Sequence, residues 1–179
     1  MLSANKDWRR GAVTLIMVFS LLAALPLAGQ EKGIESGSYR FMLKTLLSHT
    51  VPEMEVKTAA AADNETLFLD ARERAEYEVS HIQGALWVGY DDFDISRLDG
   101  VAKDTPLVVY CSVGYRSEKI SEQLLDAGYT DVANLYGGIF EWKNQDQKVV
   151  NMDGQTTESV HAYNRTWGIW LKNGEKVYD

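Results

Sequence analysis

Four consecutive apolar residues, Leu107-Val108-Val109-Tyr110, run straight into Cys111 and then into a short loop carrying Gly114 and Arg116 before a helical pattern begins. A strand that is apolar at every position has no solvent face, and it suits the middle of a parallel sheet covered by helices on both sides. The neighbouring patterns agree with that placement. Thr66–Leu69, Ala85–Val88 and Val132–Leu135 are further strand candidates. Between and after them Arg72–Val79, Asp91–Leu98, Ser117–Ala127 and Gly138–Asn144 read as helices, with acidic residues at the start of the second and Gly128 stopping the third. Strands alternating with helices predict an α/β domain whose sheet is mostly parallel.

The two ends of the chain follow other rules. Lys6, Arg9 and Arg10 form a basic start, residues 11–30 carry no charge, and Ala28 and Gly29 are small. Residues 1–30 therefore read as a secretory signal peptide or as a retained membrane anchor. Gln30 stands where a lipoprotein box would need its cysteine, which excludes lipidation there. Either reading exports the domain, to a periplasm or to a membrane surface facing it, with the basic flank left inside. Residues 31–49 read as a linker and an N-terminal helix with Phe41, Met42, Leu46 and Leu47 at helical spacing. Residues 50–148 form the domain proper. Residues 149–179 form an extension rich in aromatics, where Tyr163, Trp167 and Trp170 would share one face of a helix. That face either covers apolar surface of the domain, or walls the mouth of a site or binds a partner.

Charge and cysteine count narrow the function. The formal net charge is -8, and outside the N-terminus no basic run offers a nucleic acid its counterion-releasing contacts, so no nucleic-acid partner is expected. The single cysteine cannot form an internal disulfide, and His49, His81 and His161 lack zinc-ligand spacing, so no metal is expected. One small domain suits a monomer.

The chemistry is concentrated in Cys111-Ser112-Val113-Gly114-Tyr115-Arg116-Ser117. In an open α/β sheet ligands bind at the carboxyl ends of strands. A loop turning from strand into helix gathers backbone N–H groups around one point, and the helix N-terminus adds partial positive charge. Both stabilise a thiolate, which makes Cys111 the candidate nucleophile. A lone cysteine after an apolar strand is ordinarily a small buried hydrophobe; the glycine, arginine and helix that follow argue otherwise.

This loop resembles the active-site loop of the rhodanese family. Leu69-Asp70-Ala71-Arg72-Glu73 resembles the family's Asp-Val-Arg segment, and the likeness continues through Glu76 and Tyr77 to His81-Ile82-Gln83-Gly84-Ala85. Ser80 and Ala71 replace a usual glycine and valine. Gly128-Tyr129, Val132–Leu135, Gly137-Gly138-Ile139 and Trp142 resemble the closing segment. The likeness spans roughly Thr50 to Lys148 in the family's order. It implies a three-layer domain with a mostly parallel central sheet flanked by helices. It implies that Cys111 forms a persulfide and that the amides of Ser112, Val113, Gly114, Tyr115, Arg116 and Ser117 cradle its sulfur. Arg116 would hold the anionic part of a donor such as thiosulfate, although Ser112 stands where many thiosulfate-using relatives carry a basic residue. Asp70 and Arg72 would support the site from behind, Arg72 chiefly as an ion-pair partner, and His81 would be structural. No cofactor is implied: a small sulfur donor and a thiol or cyanide acceptor suffice.

Two alternatives stay open. Rhodanese-like domains also serve as binding or regulatory modules. Cysteine-based phosphatases and arsenate reductases use a Cys-x5-Arg loop, but here Arg116 lies five positions after Cys111 and Ser117 occupies the sixth, one residue too short to ring a phosphate.

Overall fold

The computed structural model describes residues 36–178. Its middle layer is a five-stranded parallel sheet of β1 (Glu53–Met54), β2 (Leu67–Asp70), β3 (Leu86–Trp87), β4 (Leu107–Tyr110) and β5 (Val132–Leu135), ordered β1-β5-β4-β2-β3. The fully buried β4 pairs with β2 from Leu67 opposite Leu107 to Asp70 opposite Tyr110, and with β5 from Leu107 opposite Val132.

Side chains alternate along a strand, so β4 feeds two cores. Val108 and Tyr110 join one core with Tyr39 and Leu43 of α1 (Gly37–Leu46), Val56 and Ala59 of α2 (Val56–Ala60), and Ile139 and Phe140 of α5 (Gly138–Asn144). Leu107 and Val109 join the other with Ile120 and Leu124 of α4 (Tyr115–Asp126) and Leu98 of a 3-10 turn, Ile95–Leu98. The result is the expected three-layer α/β domain. Each fully buried aliphatic side chain contributes about 1.5–3 kcal/mol through loss of apolar surface from water. α1 forms because the Ser36 hydroxyl accepts from the Tyr39 amide at 3.3 Å and Tyr39 and Leu43, one turn apart, face inward.

Residues beyond Lys148 are part of this packing. Val149 of β6 (Val149–Val150), Val160 of β8 (Ser159–His161), Ala162 and Leu171 are all buried in the core with α1 and α5. β6 pairs antiparallel with β7 (Thr156–Thr157), and β8 pairs parallel with β9 (Glu175–Val177). His81 bridges to Val150 through backbone hydrogen bonds of 2.9 Å in both directions.

Several elements differ from the sequence expectation. The helix expected over Asp91–Leu98 is only the 3-10 turn Ile95–Leu98, because Asp94 caps it by accepting from the Ser96 amide at 2.9 Å. Asp91 and Asp92 are left in the preceding turn. α4 starts at Tyr115, two residues early, because Gly114 takes φ 115° and turns the chain into the helix at once. The tail aromatics do not share a helix: Trp167–Trp170 is a 3-10 turn, and Tyr163 stands outside it at φ 62°. Among the described residues no helix is long and apolar enough to cross a membrane. The signal or anchor expected in residues 1–30 lies outside the described residues.

Candidate active site

β2 and β4 are adjacent although β3 intervenes in sequence, and the chain continues outward on opposite sides to β3 and β5. Ligands of open α/β sheets bind beyond the carboxyl ends of strands at such a reversal. The register sets Asp70 level with Tyr110, so Cys111 leaves β4 beside the end of β2.

Cys111 is 1% exposed, and its Sγ accepts the Gly114 amide at 3.1 Å. Gly114 is the cap of α4, so the next three amides, Tyr115, Arg116 and Ser117, have no partner within the helix. With the helix dipole they favour negative charge beside the thiol. The loop is held from below. The Ile139 amide donates to the Cys111 carbonyl at 2.8 Å and the Phe140 amide to the Ser112 carbonyl at 3.1 Å. A side chain at Gly138 would place its Cβ 2.3 Å from the Cys111 carbonyl oxygen, and φ there is +58°, so only glycine permits this approach. From the side, Asn134 of β5 donates to the Gly114 carbonyl at 3.0 Å and accepts from the Ser117 hydroxyl at 2.7 Å.

Arg116 does not face the cavity as a free cation. Its Nη1 and Nη2 donate to the two Glu76 carboxylate oxygens at 2.6 and 2.9 Å, and Nη2 also donates to the Ser112 hydroxyl at 2.9 Å. The Ser112 hydroxyl in turn donates to Glu76 at 2.9 Å. Glu76 lies on α3 (Arg74–Val79) and is 2% exposed. Burial alone would raise its carboxyl, but the hydrogen bonds and charge of Arg116, aided by Arg72, outweigh that and hold it below the ordinary carboxylate value. The role expected of Arg116, an anion holder, is thus taken up by an internal carboxylate, and Glu76 is a site residue to which sequence reasoning gave no function. A second pair lies behind the first. Arg72, wholly buried, donates to Asp70 at 2.9 Å through Nε and 2.6 Å through Nη2, and its guanidinium lies 5.7 Å from the Tyr110 ring centre. His81 stacks on Tyr77 at 4.0 Å and bonds its carbonyl at 3.1 Å.

Above Cys111 opens a cavity of about 380 Å³. Leu46, Val113, Tyr115 and Trp167 give it apolar walls, and Glu73 and Asp91 stand at its rim. Tyr163 joins the lining with its ring 5.1 Å from the Arg116 guanidinium. The tail therefore does both things proposed for it: Trp170 stacks on Tyr39 at 5.2 Å as core cover, while Tyr163 and Trp167 wall the mouth.

A parallel α/β sheet that presents one buried cysteine in a strand-to-helix loop beneath a cavity defines a class of cysteine-loop α/β domains. Within that class, the family described as Rhodanese-like domain matches residues 54–145, just over half the sequence, and the chain belongs to that family. Over 93 residues the chain is 40% identical to a tRNA uridine(34) hydroxylase of Pectobacterium atrosepticum, covering 49% of this chain and 26% of that one. A protein of the same name from Listeria welshimeri is 36% identical over 102 residues, covering 54% and 32%. The chain thus spans about a quarter to a third of those relatives. Among solved structures, a thiosulfate sulfurtransferase from Pseudomonas aeruginosa superposes with TM-score 0.54 at 27% identity, covering 66% of this chain and 23% of that one. A rhodanese-like domain from Anabaena superposes with TM-score 0.52 at 22% identity over 56% and 80%, a likeness of fold.

Proposed function

We propose that this chain is a sulfurtransferase in which Cys111 takes up a sulfane sulfur as a persulfide and hands it to a thiol or to cyanide. The observation that carries the reading is the Cys111 Sγ receiving the Gly114 amide at 3.1 Å, at the N-terminus of α4 and at the floor of a cavity. With thiosulfate, the Cys111 thiolate attacks the outer sulfur. A Cys111 S–S bond forms, the S–S bond of thiosulfate breaks, and sulfite leaves with the electron pair. An acceptor thiolate then attacks the outer sulfur of the persulfide and restores the Cys111 thiolate. Asp70, Arg72, Glu76 and Asn134 position the loop. The reaction needs no cofactor. Replacing Cys111 by Ser should reduce transfer from thiosulfate or polysulfide to cyanide, read as thiocyanate, to the uncatalysed rate; retained transfer would end the reading.

The 40% identity to proteins named tRNA uridine(34) hydroxylase favours a second reading, with tRNA as partner. The net charge of -8 and the acidic rim at Glu73 and Asp91 oppose binding of a polyanion. Gel-shift titration with total tRNA separates the two: binding at physiological salt would favour the tRNA reading. We also retain export as part of the proposal, from the uncharged residues 11–30. Sequencing the N-terminus of the protein recovered from cells distinguishes a cleaved signal from a retained anchor.

A further inference from the structure

Resting on the sulfur-transfer reading, we propose that the cavity selects small organic thiols and persulfides that carry an ammonium group, and disfavours oxyanions. The two guanidiniums near Cys111 are each matched internally, Arg72 by Asp70 and Arg116 by Glu76. Neither leaves a free positive charge for an incoming anion. Two further carboxylates line the same cavity, so that four stand against two guanidiniums: Glu73, which caps α3 by accepting from the Glu76 amide and shares Arg116 Nη1 at 3.9 Å, and the exposed Asp91. Burial, with the charge of Asp91 behind it, raises the Glu73 carboxyl above its ordinary value against the partial offset of Arg116. A thiosulfate dianion would meet both carboxylates as well as the thiolate.

The walls fit the other end of such a ligand. Leu46, Val113 and Trp167 give a carbon stem apolar surface in the same cavity as Sγ. A sulfur at Cys111, a short stem against the apolar side chains and an ammonium group at Glu73 and Asp91 use the nucleophile, the apolar lining and the acidic lining of one cavity. Trp167 and Tyr163 come from the tail beyond the family match, which ends at residue 145, so this wall is supplied by the chain's own extension. In the acceptor step the thiolate of the aminoalkyl thiol attacks the outer persulfide sulfur. The new S–S bond belongs to the small molecule, the Cys111 S–S bond breaks, and its electron pair returns to Sγ.

The test loads Cys111 with inorganic polysulfide and follows loss of the added sulfur by intact mass when cysteamine or mercaptoacetate is supplied. The wild type and the Glu73→Gln/Asp91→Asn variant are compared through the ratio of the two rates, which cancels the intrinsic difference between the thiols. The proposal predicts a ratio at least about fivefold higher in the wild type, the size expected of two partly exposed charges near the ligand, and shrinking as salt is raised. An unchanged ratio overturns it while leaving sulfur transfer intact. Failure of Cys111 to load with any donor overturns both. Should the double variant fold poorly, Asp91→Asn alone, in an exposed turn, carries the same comparison with a smaller ratio change.

Discussion

Glu76 joins three parts of the site through two oxygens: the Arg116 guanidinium, the Ser112 hydroxyl and its own helix cap, where it accepts from the Glu73 amide at 3.1 Å. Replacing it with Gln leaves Arg116 only the longer contact to Glu73, at 3.9 Å, in a place where its side chain is only 13% exposed. Breaking a buried pair from one side costs about 3 kcal/mol or more, so Glu76→Gln should lower unfolding free energy at neutral pH by about that amount, measured in urea. The pH dependence has a definite sign. The folded carboxyl titrates below its unfolded value of about 4.3, so its contribution is complete above that value and is lost as pH falls through the lower, folded one. Stability of the wild type should decline more steeply than that of Glu76→Gln on the acid side of about pH 4.3. The family likeness ran through Glu76 without giving it a role, since its partners lie 36 and 40 positions away. Cys111 and Arg116 were legible because loop, glycine and helix are consecutive.

Among the elements, the contact that sets the loop is α5 against the carbonyls of Cys111 and Ser112, closed over Gly138. Gly138→Ala would bring a methyl onto a backbone oxygen and force φ +58° on a residue that carries a Cβ. It should cost more than about 2 kcal/mol in thermal or urea unfolding and, on the proposed function, slow persulfide formation, since the displaced atoms belong to the Cys111 peptide. A variant of wild-type stability and rate would show that α5 does not hold the loop. The strands and helices that were legible, β4, β5 and α5, carry apolar runs or clean turn signals. β1 and α2 were missed, as two and five residues give no period to read. The Asp91–Leu98 expectation failed because acidic residues suit a turn and a cap as well as a helix start, and Asp94 acts as the cap.

At the scale of the molecule, the tail is both structural and part of the mouth. Deleting Gln155 to Asp179 would remove Val160, Ala162 and Leu171, each 0% exposed, from the core shared with α1 and α5. The truncated chain should lack a cooperative thermal transition by circular dichroism; a cooperative melt near that of the intact chain would mean that the domain closes without it. The aromatic density of the tail signalled packing and allowed a place at the mouth of the site, but the geometry was not legible, because Tyr163 reaches Arg116 from a backbone at φ 62° rather than from a helix face.

The measurement that bears most directly on the central claim is intact mass of the protein from Glu31 onward, before and after incubation with thiosulfate and, separately, polysulfide, beside a Cys111→Ala control. Persulfide chemistry at Cys111 predicts a gain of about 32 Da in the cysteine-bearing protein alone, reversed by a thiol acceptor. No gain from either donor, together with slow alkylation of Cys111 at neutral pH, would contradict sulfur transfer and leave a rhodanese-like domain that binds without reacting.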